Sequence, residues 1–288
     1  MQLAWATDLH CDHLVGDELA FFCARVVASP AEALLLGGDI SNGRDLREHL
    51  ATLRDAIPLP VYVVLGNHDY YGRDIASVRA AVQPLDAPPL CWLPAAGCVG
   101  LDDNLALVGV GGWGDARNGD FSGAPLLTDY LAIADLEAVA GRGNLVAGFK
   151  ERAGLQRRLQ ELGDQAAATL RPALAEAVSA ARHVLVLTHV PPFPEAAWHE
   201  GRLSTETWQP GFTCKAVGDL LLQTARDNPR CEIVVLCGHT HGSGRCTMLP
   251  NLEIVTAAGD YGTTSLNLVA WDRHTITVAL AEDAASGV

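Results

Sequence analysis

The sequence predicts an α/β fold with an appended antiparallel part (α+β), and three observations predict it. Short runs of Val, Leu and Ile alternate with amphipathic stretches through the first 70 residues. Two further buried runs, Val184 to Leu187 and Glu232 to Leu236, are again separated by helical patterns, and the chain closes on short runs joined by turn residues. The order β-α-β-α-β favours parallel strands on right-handed crossovers, which brings the carboxyl ends of the strands to one edge.

The chain has 288 residues, enough to bury a sizeable core, and it shows no internal repeat, low-complexity segment or dividing linker, so one domain over 1–288 is expected. A net charge of -14 disfavours a broad surface for a nucleic acid duplex or an anionic membrane. It does not disfavour an anionic substrate, because bound divalent cations invert the field locally. The eight cysteines lack a C-x-x-C pair or zinc-ribbon spacing and read as reduced thiols of a cytoplasmic protein. The chain enters an apolar run at Leu3 without a basic leader, and no apolar stretch reaches the roughly 18 to 20 residues that span a bilayer.

In chain order, the opening strand ends at Thr7-Asp8-Leu9-His10, where i and i+2 side chains of an extended segment share one face. Helix capping is the bland alternative for Asp8, although Asp12 and Asp17 also stand ready to cap the next helix. Glu18 to Ser29 is helical and is stopped by Pro30; Ala33 to Leu36 is a buried strand running into Gly37-Gly38-Asp39-Ile40-Ser41-Asn42-Gly43. Arg44 to Ile57 is helical, and Val61 to Leu65 is a strand ending in Gly66-Asn67-His68-Asp69. A helix over 75–82 precedes a proline-rich surface connection, Pro84 to Pro94. Gly97 to Leu101 and Leu105 to Val110 form a hairpin, followed by a glycine-rich loop over 111–119.

Residues 113–182 read as a largely helical insertion, with helices over 131–140, 147–162 and 165–181. The strand at Val184 to Leu187 ends in Thr188-His189, and a helix over 215–226 leads to the strand ending in Gly238-His239-Thr240-His241. The runs over 246–249, 252–257, 265–271 and 275–280 are expected to make an antiparallel meander.

Five strand ends thus supply Asp8, His10, Asp39, Asn67, His68, His189, His239 and His241. Each alone has a structural explanation, such as a polar turn or a hydrogen-bonded histidine; their recurrence at five separate ends favours one site. Imidazole, carboxylate and an amide oxygen without thiolate suit divalent transition-metal ions such as Mn, Fe, Co, Ni or Zn better than Mg or Ca. Seven ligating groups exceed what one tetrahedral ion takes, whereas two ions sharing a carboxylate would use them all.

The ordered blocks Asp-x-His, Gly-Asp, Gly-Asn-His-Asp, His and Gly-His-x-His, over roughly residues 1 to 260, resemble the calcineurin-like metallophosphoesterase superfamily. That resemblance implies a four-layer αββα sandwich of two mixed β-sheets flanked by helices, with a dinuclear centre at the strand ends. It implies that Asp8, His10 and His241 hold one metal, that Asn67, His189 and His239 hold the other, and that Asp39 bridges them. His68 would be the general acid or substrate-orienting residue, with Asp69 steadying its imidazole. The implied activity is hydrolysis of a small phosphoester, mono- or diester, by a hydroxide shared between the ions. After Gly38-Asp39 the chain lacks the Val-Asp-Arg-Gly continuation of Ser/Thr protein phosphatases, and the closing Gly-His-x-His block is more similar to bacterial cyclic-nucleotide-type phosphodiesterases. A metal-binding scaffold without turnover is the alternative. Trp113, Arg117 and His199, with Arg202, Tyr70 and Trp208, are candidates for a substrate rim or, equally, for packing and surface.

Overall fold

The computed structural model describes residues 1–140 and 149–281, the side chains of 149–151 excepted. Its first sheet contains β1 (Gln2–Ala6), β2 (Ala33–Leu36), β3 (Val61–Val63) and β4 (Leu90–Trp92), with β13 (Asn267–Trp271) and β14 (Ile276–Ala279). The strands lie in the order β14-β13-β1-β2-β3-β4; β1 to β4 run parallel, and β13 and β14 add an antiparallel edge.

The second sheet contains β5 (Val99–Asp102), β6 (Leu105–Val110), β7 (His183–Thr188), β10 (Glu232–Cys237), β11 (Gly244–Leu249) and β12 (Leu252–Thr256), in the order β11-β12-β10-β7-β6-β5. Its parallel centre is β12-β10-β7-β6, and both edge strands are antiparallel. A two-residue ribbon, β8 (Trp198–His199) with β9 (Arg202–Leu203), stands apart.

Alternation along the strands explains why two sheets stack. Leu3 and Trp5, Leu185 and Leu187, and Val234 and Leu236 share one buried cluster between the sheets. Their neighbours Ala4 and Ala6, Val184 and Val186, and Ile233 and Val235 belong to the larger cluster that includes helix residues such as Phe22, Leu50, Leu174 and Leu221. Successive side chains of a strand point to opposite faces, so strands apolar on both faces require a cover on each side. Each fully buried Leu or Val contributes about 1.5–3 kcal/mol relative to exposure. The result is the expected helix-sheet-sheet-helix sandwich, and no helix among the described residues is long and apolar enough to cross a membrane.

Four local expectations give way. The connection Pro84 to Pro94 contains β4, an edge strand with Leu90 buried; prolines at 88, 89 and 94 flank it, which an edge position tolerates. The terminal runs are two hairpins in different sheets, β11-β12 and β13-β14, because β12 pairs parallel with β10 while β13 pairs with β1. Pairing is a long-range property that turn residues do not report.

The first helix expected after residue 130 is two short helices, Asp129–Ala132 and Ala134–Ala140, parted at the extended residue Ile133. The two later helices are one, Phe149–Ala180, which connects the parallel pair β6 and β7; residues 147 and 148 lie outside the described residues. Gly163 does not break it. An added Cβ there would lie 2.6 Å from the Asp115 Cβ, so this glycine allows the helix to pass close to the loop after β6.

Candidate dinuclear metal centre

Both sheets end at the same edge, and their carboxyl ends carry the candidate residues. Asp8 and His10 follow β1, Asp39 follows β2, Asn67 and His68 follow β3, His189 follows β7, and His239 and His241 follow β10. The expectation that Asp8 and His10 share a face of an extended chain is wrong in its geometry. Both have left the strand, with φ of 55° and 43°. Among the described residues, eight non-glycine residues have positive φ, and five of them are Asp8, His10, Asp39, His239 and His241. Asp and His enter this region more readily than most residues, yet each such conformation still costs about 1–3 kcal/mol. Backbone strain is therefore concentrated on the candidate ligands.

Three groups of donor atoms result, each within 4.8 Å: Asp8, His10 and His241, and Asp39, His189 and His239, which are the expected pair of metal-holding groups, and a third made of His10, Asp12 and His68. In the first, His10 Nε2 lies 3.3 Å from His241 Nε2, and His241 Nε2 lies 3.6 Å from Asp8 Oδ1. Asp8 is held by the Thr7 hydroxyl at 2.7 Å and by the His239 backbone N–H at 3.1 Å. In the second, His189 Nε2 lies 3.0 Å from Asn67 Oδ1 and 3.3 Å from Asp39 Oδ1. Glycine is needed where these turns meet, since a Cβ on Gly66 would lie 2.2 Å from Asp39 Oδ1 and one on Gly238 2.1 Å from Asp8 Oδ2.

This donor set suits two cations. His189 donates from Nδ1 to the Gly37 carbonyl at 3.0 Å, and His239 donates from Nε2 to the Gly211 carbonyl at 3.0 Å. Ligating histidines are oriented in this way, the second nitrogen tied to a carbonyl and the first left with its lone pair. Asn67 donates from Nδ2 to Asp129 Oδ1 at 2.9 Å, so its amide oxygen faces His189. Asp129 also accepts from the Tyr71 hydroxyl.

The electrostatics follow from burial. Burial pushes the His10 imidazole down to about 4 and lowers His239 as well, which keeps both in the neutral, metal-binding form at neutral pH. Burial alone would lower His189, but the Asp39 carboxylate outweighs it and brings His189 up to about 9, so without a cation its Nε2 carries a proton that a metal would have to displace. Burial would conversely raise Asp39, and His189 outweighs that, so Asp39 stays ionised.

The structure revises the surroundings of His68. Asp69 does not touch the imidazole: its oxygens accept from the backbone N–H groups of Ile40, Ser41 and Gly66, at 2.9, 2.9 and 2.8 Å. It therefore staples the turn after β2 to the turn after β3, and burial with the nearby Asp39 charge pushes it up to about 7. The partner of His68 is Asp12, whose Oδ2 lies 3.1 Å from His68 Nε2. Tyr71 packs on His68 with ring centres 4.4 Å apart, and Tyr261 on His10 at 4.3 Å.

Among the rim candidates, Trp113 is buried against Tyr70, itself buried, with ring centres 5.3 Å apart. Arg117 is engaged by Asp115 and Asp164 at 2.9 and 2.8 Å, and Arg202 is an exposed partner of Glu200. His199 and Trp208 are nearer the centre: both contact Phe212, whose ring lies 5.6 Å from that of His239. Asp12, Tyr71, Asp129 and Tyr261 carry no strong sequence signal because none lies in a block of polar residues at a strand end; Asp12, two residues beyond His10, carried the nearest one.

The family model for calcineurin-like phosphoesterases matches residues 1–243. The chain belongs to that family. No curated protein matches it in sequence. Among solved structures, a dimetal phosphatase from Danio rerio is similar at 15% identity and TM-score 0.54, covering 98% of this chain and 99% of its own. A phosphopantetheinyl hydrolase from Mycobacterium tuberculosis is similar at 16% identity and TM-score 0.58, covering 91% and 90%. A protein from Thermus thermophilus, TT1561, is similar at 14% identity and TM-score 0.54, covering 97% and 98%. At these identities the likeness establishes the fold of the phosphoesterase. The family carries the rest: metal-dependent phosphoester hydrolysis in general, with two divalent ions.

Proposed function

We propose that this phosphoesterase hydrolyses a small phosphoester, mono- or diester, with two divalent transition-metal ions held where its two sheets end. The observation that carries this reading is the pair of donor groups, in which the second nitrogens of His189 and His239 are already fixed by backbone carbonyls. Asp8, His10 and His241 would hold one ion, Asn67, His189 and His239 the other, and Asp39 would serve both. When bound, such ions polarise phosphoryl oxygens and bring the pKa of water to near 7.

The chain's own residues do the remaining work. His68 stands over the first donor group, its ring centre 4.7 Å from that of His10, and is the group placed to pass a proton to the departing alcohol. Burial lowers its basicity, but the Asp12 hydrogen bond and the Asp39 charge outweigh that and raise its pKa. Tyr71 and Tyr261 bound the site on this side, Phe212 and Trp208 on the His239 side. The donor chemistry favours Mn, Fe, Co, Ni or Zn over Mg.

The test is a panel of 4-nitrophenyl phosphate, bis(4-nitrophenyl) phosphate and alkyl mono- and diesters, each assayed with Mn, Fe, Co, Ni, Zn and Mg. Turnover is expected with transition metals above that with Mg. Absence of turnover with every metal, in protein that binds two ions, would retire the hydrolase reading in favour of a metal-binding scaffold.

Asp129 gives a separate expected result. Asp129→Ala frees the Asn67 amide to rotate, so affinity for one ion should fall by about 10–100-fold while the other is held as before. Competitive Zn titration against a chromophoric chelator reads the two affinities separately.

A further inference from the structure

We propose that Asp12 is the positioning residue of His68, holding Nε2 of the imidazole so that Nδ1 is left to face the leaving group; this rests on the phosphoester-hydrolase reading above. Asp12 lies in the short 3-10 turn Cys11–His13, directly after the turn that carries Asp8 and His10. The same local backbone that places two ligands therefore brings this carboxylate against His68.

Three observations separate Asp12 from a merely structural carboxylate. Its Oδ2 is the one carboxylate oxygen hydrogen-bonded to the His68 ring among the described residues, at 3.1 Å, and it also receives Asn42 Nδ2 at 3.2 Å. Its Oδ1 is buried and has no hydrogen-bond partner among the described residues. Buried polar atoms are normally satisfied, so this exception beside the candidate ligands calls for an explanation. Asp69, one residue from His68, shows the contrast: both of its oxygens are taken by backbone N–H groups and neither reaches the imidazole.

The ring itself has little freedom. His68 is enclosed by Tyr71 at 4.4 Å, by His10 at 4.7 Å and by His13 at 5.8 Å between ring centres. With Nε2 bound to Asp12 and the faces of the ring packed, Nδ1 is the nitrogen without a hydrogen bond among the described residues, and its orientation is set by the Asp12 contact. A histidine whose second nitrogen is anchored by a carboxylate keeps one direction, and in its imidazolium form it carries the transferable proton on the other nitrogen, returning to the Nε2–H tautomer when that proton leaves.

The experiment compares wild type, Asp12→Asn, His68→Ala and the double variant, all loaded with Zn. Asp12→Asn is expected to retain two ions and near wild-type turnover of bis(4-nitrophenyl) phosphate. On an alkyl diester it should fall by about 10–100-fold, part of the 10²–10⁴-fold that a proton donor contributes. In the His68→Ala background it should cost nothing further. The imidazole 15N spectrum of the Zn-loaded protein should show the His68 Nε2–H in wild type and its change in Asp12→Asn. Equal loss on both substrates, additive loss in the double variant, loss of metal, or an unchanged His68 signal would each overturn the assignment. An inactive wild type with the spectral response intact would instead sink the hydrolase reading, and with it the catalytic purpose given to Asp12.

Discussion

Asp39→Ala is expected to strip the centre of bound metal and reduce kcat/KM to background while leaving the fold assembled. Asp39 is buried within the second donor group; its Oδ1 lies 3.3 Å from His189 Nε2 and accepts from the His68 backbone N–H at 2.8 Å. Removing it takes away the carboxylate that both ions would share, so the loss of metal affinity should exceed the 10–100-fold that outer partners cost. Asp39→Asn separates charge from shape: it can keep the hydrogen bond to the His68 N–H, yet it offers no negative oxygen to two cations. Metal per chain after gel filtration, measured by elemental analysis beside the circular dichroism spectrum, checks both variants. An Asp39→Ala protein with two ions and normal turnover would show that the centre is built elsewhere.

The second large effect is at His68. His68→Ala is expected to keep both ions and the fold, to lose about 10²–10⁴-fold in kcat on alkyl phosphoesters, and to lose much less on 4-nitrophenyl esters. The difference arises because an aryl oxide departs without a proton and an alkoxide does not. The position supports this split, because His68 is buried beside His10 and lies in neither of the two donor groups expected to hold the ions. Equal losses on both substrates would assign His68 to phosphate binding instead of proton delivery.

Much of this was legible in the sequence because the informative residues sit where apolar runs stop. Asp39 after Leu36-Gly37-Gly38, Asn67 after Val64-Leu65-Gly66 and His189 after Leu187-Thr188 are each announced by the strand before them, and parallel order gathers strand ends at one edge. Other features had no local signal. That β12 pairs with β10 and β13 with β1 is decided by the docking of segments far apart in the chain. Gly163 reads as a break until the approach of Asp115 is seen, and β4 is hidden among prolines because an edge strand tolerates them. Asp12 and Asp129 are ordinary loop carboxylates in sequence; only the fold shows that one holds His68 and the other orients Asn67. Asp69 shows the reverse error, since the family resemblance implied a partnership with His68 that backbone hydrogen bonds pre-empt.

Both groups of the expected pair draw on both sheets, whereas His10, Asp12 and His68 all follow strands of the first. Asp8 and His10 come from the first sheet and His241 from the second; Asn67 and Asp39 come from the first, and His189 and His239 from the second. Ions held by that pair would take ligands from both sheets, so tight binding there would require the two halves of the sandwich to be docked. Each ion would then be a fastener across the seam between residues 1–70 and 183–241, and its binding energy would count toward the cohesion of the layers as well as toward chemistry. Prising the sheets apart at this edge and releasing the ions are, in that sense, one and the same equilibrium.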